Sequence, residues 1–304
     1  PGRVRKLNLA KETRIKLISS EFGTDFLREA PADPRAMRRP ILDEGSMLAF
    51  YVHDEPQATE AAVPTPLPLH VERAALIREM DPYHPTYFCL MPSWKDTCAY
   101  APIVDAIGHD PYASYLAYHE RWVSWSTRML VAVTEGKQPI WQVLQPFFFK
   151  ASHEHPSPSD LRHSIWSAVI HGANGIGFWG ASGGGHAVED IRGLNSNRVN
   201  WLAAQETVHA VRRLAPVILS EAAVGAGAIC DSDYVAVMNK QHDGQLYVFV
   251  LNMRSGPEQV TLTLPVNRGK LVNQLDGGGA WSVTDGRCAL SLQACQPLVL
   301  RYEH

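Results

Sequence analysis

The 304-residue chain has no long apolar run and no excess of basic residues. No segment approaches the ~20 apolar residues of a membrane span, so we expect no membrane-spanning helix. The 28 Lys and Arg residues are offset by 31 Asp and Glu residues, and the formal charge of -3 gives no support for nucleic-acid binding. The first residues show no secretory-signal pattern, and the sequence predicts no particular cellular location.

Cysteine is also scarce, and its spacing excludes the common cysteine motifs. The five cysteines form no CxxC pair, and their number is odd. Cys89 lies in an apolar run, which indicates a core position. Cys288 and Cys295 lie near the end of the chain and could form a disulfide.

The most informative segment that is present is the run from Leu48 to Pro56. Apolar and aromatic residues fill it until Asp54 and Glu55, a pattern typical of a parallel strand that is buried on both faces. Pro56 should end the strand and favour an extended backbone at Glu55. Barrels and open α/β sheets place their chemistry at the carboxyl ends of such strands. We therefore predict a site at Asp54 and Glu55, with a solvated loop or a helix N-cap as the alternative.

The same pattern recurs along the chain and predicts a parallel α/β sheet. Further apolar strands are predicted at residues 86–91, 103–112, 139–146 and 176–180, and helices at residues 71–80, 115–133, 159–171 and 198–214. Pro216 should end the last helix. Polar and aromatic residues follow these strands, so we expect them to share one face: Trp94, His109, Asp110, Tyr112, Gln145 and Trp179.

The pattern changes near Glu221. Short alternating segments at residues 233–238, 245–251, 259–264, 270–275 and 297–302 are separated by glycine-containing turns. They predict an antiparallel β-sandwich, and no catalytic cluster shows in it. We predict two domains, an α/β domain at residues 1–219 and a β-sandwich at residues 220–304.

The order of these motifs resembles the carboxyl-terminal part of a TIM-barrel glycoside hydrolase of the retaining β-glycosidase clan. The matching pieces are residues 51–56, 81–85, 105–112, 139–145 and 171–179. The resemblance implies a partial, N-terminally truncated (β/α)8 barrel followed by a small antiparallel β-sandwich. It also implies a glycosidase that acts on a carbohydrate or glycoside without a metal or other cofactor.

The resemblance further implies roles for individual residues. Glu55 takes the place of the general acid/base at the end of the fourth strand, and Asp54 replaces an Asn that holds a sugar hydroxyl. Trp179 matches the aromatic platform under the sugar. Gln145 stands where the clan has its nucleophilic Glu, which is a departure: either the reaction is inverting, or another acid serves, or the protein is not a glycosidase. Asp110 is the best second carboxylate, and Glu135 is the next candidate, although its loop should lie at the opposite end of the sheet. The expected lining of the sugar site is His53, His109, Tyr112, Gln145, Trp179 and Trp94.

The length before the fourth strand is a second departure. Only 47 residues precede Leu48, with possible strands at residues 4–9 and 15–20, and three complete βα units do not fit there. An incomplete barrel would expose sheet edges, which promote association. We expect a second copy of the chain or a further N-terminal piece to cover them.

Two alternative functions fit parts of the pattern. His53, Asp54, Glu55, His109 and Asp110 could support metal-assisted hydrolysis of esters or phosphates. The His-x-His spacing at residues 153–155 is better interpreted as a solvated loop. A non-catalytic carbohydrate-binding barrel would explain Gln145 in the nucleophile position.

Overall fold

The computed structural model describes residues 17–19, 47–57, 67–112, 121–149, 156–180, 191–223, 225, 227–275 and 278–304. The chain divides into two compact units: Pro1–Asp110 with Met129–Gln142, and Pro111–Arg128 with Val143–His304. The predicted domain boundary at residues 219/220 stays a prediction beside this division. The possible strand at residues 4–9 lies outside the described residues.

The first unit contains a parallel sheet whose strands follow one another in chain order. These strands are β1 (Leu17–Ser19), β2 (Met47–Asp54), β3 (Thr86–Leu90) and β4 (Ala106–His109). A parallel bridge from Ile107 to Ile140 leads to the start of β5 (Trp141–Leu144). All five residues of β3 are buried, as expected for a strand inside a parallel sheet.

Helices connect these strands. They are α1 (Leu67–Met80), α2 (Trp94–Tyr100), a 3-10 turn (Ala101–Ile103) and α3 (Trp122–Thr134). The α1 helix buries His70, Arg73, Ala74 and Ile77, whose spacing of three and four residues defines one face. Asp81 ends this helix, because its carboxylate accepts hydrogen bonds from the backbone N–H groups of Tyr83 and His84. The alternation of strands and helices confirms the predicted α/β class.

The second unit holds the next strands and two long helices. The β5 strand pairs with β7 (Gly175–Phe178), and the short β6 (Phe148–Phe149) pairs with β8 (Ile191–Arg192). Helix α4 (Pro158–Ile170) starts at a capping box formed by Ser157 and Asp160. A 3-10 turn (Leu194–Ser196) precedes α5 (Arg198–Ile218).

The predicted end of α5 at Pro216 is wrong, because the helix continues to Ile218. Proline removes only its own N–H donor, and the turn around it is closed by other donors. The N–H of Leu219 donates to the carbonyl of Ala215 at 2.9 Å, and the N–H of Ser220 donates to that of Val217 at 3.1 Å.

The antiparallel β domain is confirmed and forms one nine-stranded sheet with the order β10-β13-β16-β15-β14-β17-β12-β11-β9. Its strands are β9 (Glu221–Ala222), β10 (Ile229–Cys230), β11 (Val235–His242), β12 (Gln245–Asn252), β13 (Glu258–Thr263), β14 (Arg268–Asn273), β15 (Ala280–Thr284), β16 (Arg287–Leu292) and β17 (Pro297–Glu303). The sequence patterns did not predict the hairpin of β15 and β16, although they indicated a turn at Asp285 and Gly286. Cys288 and Cys295 are both free, so they form no disulfide.

Strand β12 is buried on both faces and joins the sheet to the helices of the same unit. Val248 and Val250 belong to the core enclosed by the sheet. Phe249 and Leu251 point the other way and pack with Trp166 of α4 and with α5. No helix among the described residues combines the length and apolarity needed to cross a bilayer.

Candidate active site

The end of β2, which carries Asp54 and Glu55, has an unusual backbone. The pairing of β2 with β3 shifts register between Tyr51 and His53, and Glu55 has a φ of 38°. The expectation of an extended backbone at Glu55 is therefore wrong. The N–H of Glu55 donates to the carbonyl of Cys89 at 2.9 Å, which helps to hold this conformation. Left-handed backbone at a residue other than glycine is sparsely populated, and such strain often occurs at functional sites.

Asp110 lies immediately after β4, close to Glu55. Its N–H donates to the carbonyl of Leu90, and the residue is only 6% exposed. Its Oδ1 is buried and has no hydrogen-bond partner among the described residues. Its carboxyl group is within hydrogen-bonding reach of Glu55.

Burial is the main reason why the pKa of Asp110 is raised to about 10, and the nearby Glu55 and Asp54 contribute further. The protonated form of Asp110 is therefore favoured at neutral pH, with Glu55 as its nearest interacting carboxyl group. We call Glu55 and Asp110 the carboxyl pair. Neighbouring carboxyls in different environments can take the separate roles of acid and base.

Asp54 is exposed and is held by the side chain of Tyr51. The Tyr51 hydroxyl donates a hydrogen bond to Asp54 Oδ1. The Tyr51 ring stacks on Tyr87 of β3, with 5.4 Å between the ring centroids. Burial, together with the nearby Cys89 and Asp54, raises the pKa of Tyr51, so its hydroxyl stays protonated and remains a donor.

The sequence analysis missed Tyr51, Tyr87 and Cys89 as neighbours of the carboxyl pair. Burial raises the pKa of the Cys89 thiol, and the charges of Asp110 and Asp54 raise it further. The prediction that Cys89 is a buried residue is confirmed, since it is 2% exposed. Residues two apart on a strand share a face, so the spacing of Tyr87 and Cys89 was the available signal.

Gly108 of β4 leaves room for Tyr87 to bridge strands inside the first unit. The Tyr87 hydroxyl donates to the carbonyl of Trp141 at 2.9 Å. A Cβ at Gly108 would lie 1.8 Å from that carbonyl oxygen and 2.5 Å from the hydroxyl. Only glycine permits this close approach.

The two predicted histidines take structural positions. His53 Nδ1 donates to the carbonyl of Asp54 at 2.6 Å, and its ring packs edge-on against His70 of α1. Burial lowers the pKa of His53. His109 is completely buried, with its Nε2 2.8 Å from Thr97 Oγ1 of α2. The predicted sugar contact at His109 is corrected, because a fully buried ring on the helix side of the sheet cannot reach a ligand.

The second unit contains an aromatic group formed by Tyr112, Phe147 and Trp179. The Phe147 ring lies 5.1 Å from that of Tyr112 and 4.9 Å from that of Trp179, and both pairs are edge-to-face. Trp179 is 38% exposed, so part of its indole is available to a ligand. In the same unit, Gln145 is 7% exposed, and its Nε2 donates to the carbonyl of Phe147.

The remaining predictions concern Trp94 and a metal. Trp94 is the first residue of α2, directly after the N-cap Ser93, and is 57% exposed. In the described part of the chain, no group of three or more His, Cys, Asp or Glu side chains is placed to hold a metal ion. The His-x-His motif at residues 153–155 lies outside that part.

No family model and no curated protein matches the chain. Solved structures do match. An α-amylase from Geobacillus thermoleovorans, crystallised with acarbose, is 14% identical with a TM-score of 0.59, covering 89% of this chain and 63% of its own. An α-amylase from Anoxybacillus is 11% identical with a TM-score of 0.58, covering 86% and 60%. A maltogenic α-amylase from Thermotoga neapolitana is 16% identical with a TM-score of 0.53, covering 89% and 65%.

These similarities establish the fold. The chain has the fold of TIM-barrel glycoside hydrolases with an appended β domain, and the predicted resemblance is confirmed at that level. The chain spans about 60–65% of the length of these three structures. The prediction that a second copy or a further segment covers the sheet edges stays a prediction.

Proposed function

We propose that this protein hydrolyses glycosidic bonds and that Glu55 and Asp110 are its catalytic carboxyl groups. The carboxyl pair is the observation that carries the proposal: two acids follow the ends of β2 and β4 in one parallel sheet, and the pKa of Asp110 is raised by burial and by the nearby Glu55. Glycoside hydrolysis requires one carboxyl that donates a proton to the leaving oxygen and another that acts at the anomeric centre. The fold shared with glycoside hydrolases supports the same reaction class.

The closeness of the carboxyl pair supports retention of configuration. Retaining enzymes hold their carboxyl groups ~5–5.5 Å apart, whereas inverting enzymes need ~6.5–9.5 Å to admit a water molecule between acid and sugar. Glu55 and Asp110 lie close enough to interact directly, which is nearer to the retaining separation than to the inverting one. In the first step, the protonated carboxyl gives its proton to the glycosidic oxygen while the other attacks the anomeric carbon. Water then cleaves the glycosyl ester, and its proton returns to the first carboxyl.

The roles within the pair have two possible assignments. The resemblance implies that Glu55 is the general acid/base and Asp110 the second carboxylate. The raised pKa of Asp110 instead favours Asp110 as the proton donor in the free protein. Because protons on interacting carboxyls belong to the pair, we propose the pair as the catalytic unit.

Two further features provide sugar contacts in this proposal. Asp54, oriented by Tyr51, is an acceptor for a sugar hydroxyl, the function that the clan gives to Asn. Within the second unit, the exposed part of Trp179 offers an apolar face for a sugar ring, and Tyr112 and Gln145 of that unit stay predicted sugar contacts. His53 and Trp94 stay secondary candidates.

Hydrolysis of an aryl-glycoside panel, including uronides, tests the proposal. Wild type should turn over at least one sugar, and Glu55→Gln, which keeps the side-chain shape, should lose that turnover. Glu72→Gln is the matched control, because Glu72 is exposed on α1. Equal activity in wild type and Glu55→Gln would reject Glu55 as a catalytic residue.

Leaving-group dependence separates the two assignments. The variant that lacks the general acid should keep activity on dinitrophenyl glycosides, whose leaving group needs no protonation. The variant that lacks the nucleophile should lose activity on every substrate. Comparing Glu55→Gln with Asp110→Asn therefore assigns each role, and NMR of the first-formed anomer tests retention.

One observation favours a second candidate, a carbohydrate-binding protein without turnover. The resemblance implies that Gln145 takes the place of the clan's nucleophilic Glu, and its amide donates to the carbonyl of Phe147. A sugar that binds to wild type and to Glu55→Gln with equal affinity, and is cleaved by neither, would identify that function.

A further inference from the structure

A cleft in the second unit brings two arginines onto one tyrosine. Its lining is Arg121, Tyr234, Met253, Arg254 and Ser255, and we call it the arginine cleft. Its volume is about 400 Å³. We propose that the arginine cleft binds a small organic molecule of about monosaccharide size that carries a phosphate, sulfate or carboxylate group.

The geometry of the cleft holds its positive charges in place. The Arg121 Cζ lies 4.6 Å and the Arg254 Cζ 4.7 Å from the centroid of the Tyr234 ring. Stacking on an aromatic ring orients a guanidinium and leaves its N–H groups free to donate. The Tyr234 backbone is itself fixed, because its carbonyl accepts from the N–H of Met253 at 2.8 Å.

The charges of the cleft are incompletely neutralised. Arg254 Nη1 forms an ion pair with Glu258 Oε1 at 2.8 Å. No carboxylate among the described residues pairs with Arg121. Since both guanidiniums contact one ring, their Cζ atoms are at most about 9 Å apart. An oxyanion in the cleft beside Arg121 would neutralise it and receive charge-assisted hydrogen bonds.

The volume of the cleft and its hydroxyl groups indicate that the ligand contains neutral polar groups besides its anion. Small-molecule sites commonly have volumes of ~300–1,000 Å³, and a bare phosphate would leave most of this cleft empty. The hydroxyl groups of Ser255 and Tyr234 can hydrogen-bond neutral polar groups such as sugar hydroxyls. This inference does not depend on the carboxyl pair or on the proposed hydrolysis.

Calorimetric titration of the full chain at constant ionic strength tests the proposal. The probes are glucose 6-phosphate, glucuronate, inorganic phosphate and neutral glucose. We expect at least one of the two anionic sugars to bind more tightly than phosphate, and glucose to show no binding. Arg121→Gln should weaken the anionic sugar by about tenfold or more, which corresponds to the loss of one strong ionic hydrogen bond. Arg121→Lys should weaken it less.

The titration includes a control variant, and several results would overturn the proposed binding site. Arg212→Gln removes an exposed arginine on α5 and should leave binding unchanged. Binding that is unaffected by Arg121→Gln, or that falls equally in Arg212→Gln, would overturn the site. Absence of binding by all three anions would also overturn it. Phosphate that binds as tightly as both sugars would overturn the sugar-sized ligand.

Discussion

Replacing Asp110 with asparagine should stabilise the folded protein at neutral pH, even though it removes a proposed catalytic group. The pKa of Asp110 rises from 3.8 to about 10 in the folded protein, mainly because of burial. Between those values the folded state holds a proton that the unfolded chain releases. Wild-type stability should therefore fall as pH rises through this window, by up to ~1.4 kcal/mol per pH unit.

The magnitude follows from the same numbers. At pH 7 the retained proton costs the folded state at most ~4 kcal/mol, and we expect a measured effect of a few kcal/mol. The amide side chain that Asp110→Asn introduces is neutral at every pH and can still donate a hydrogen bond to Glu55. The stability gain in this variant should accordingly be near zero at pH 4 and grow with pH. Such a gain on removing a functional group is a common trade between stability and activity.

Urea unfolding followed by tryptophan fluorescence at pH 4, 5.5, 7 and 8.5 measures this difference. Asp233→Asn is the control, because Asp233 is exposed and its removal should give no pH-dependent change. A variant that is less stable than wild type at pH 7, or a difference that is constant across pH, would refute the burial of a protonated Asp110.

Three further predictions test other parts of the structure. Gly108→Ala should lower the free energy of unfolding by more than the ~1–3 kcal/mol typical of overpacking, because the new Cβ would meet a backbone oxygen at 1.8 Å; an unchanged urea midpoint would contradict the packing of β4. Ellman's reagent should modify the exposed Cys98 fastest in the native protein and all five cysteines in denaturant, whereas fewer than five would indicate a disulfide. Trp179→Ala should weaken sugar affinity by about tenfold, as expected for lost aromatic contact, and should lower the unfolding midpoint because the ring also packs on Phe147; equal affinity would exclude the platform role.

Sequence patterns predicted the elements of this fold well where the chain alternates in a regular way. Buried parallel strands such as β3 appear as unbroken apolar runs, and Asp81 marks the end of α1 by its local hydrogen bonds. The prediction failed at α5, because a proline in the last turn costs only one donor. It also failed at β15 and β16, where short and partly polar strands depend on their neighbours for stability.

The candidate site was predictable only in part. Glu55 and Asp110 follow apolar strands, and a rule about strand ends finds both. The left-handed backbone of Glu55 arises from a register shift and from a bond to the Cys89 carbonyl in another strand, and both are tertiary features. The same rule fails at His109, the residue before Asp110. Its side chain points to the other face of the sheet and packs against Thr97.

Trapping of the glycosyl-enzyme tests the central claim most directly. Once the panel identifies the sugar, the matching 2-deoxy-2-fluoro glycosyl fluoride should form a stable ester with the nucleophile, and peptide mass spectrometry locates it. We expect one label per chain, on Glu55 or Asp110, and none in the variant that lacks the labelled carboxyl. A label on any other residue, or inverting hydrolysis without a label, would contradict it.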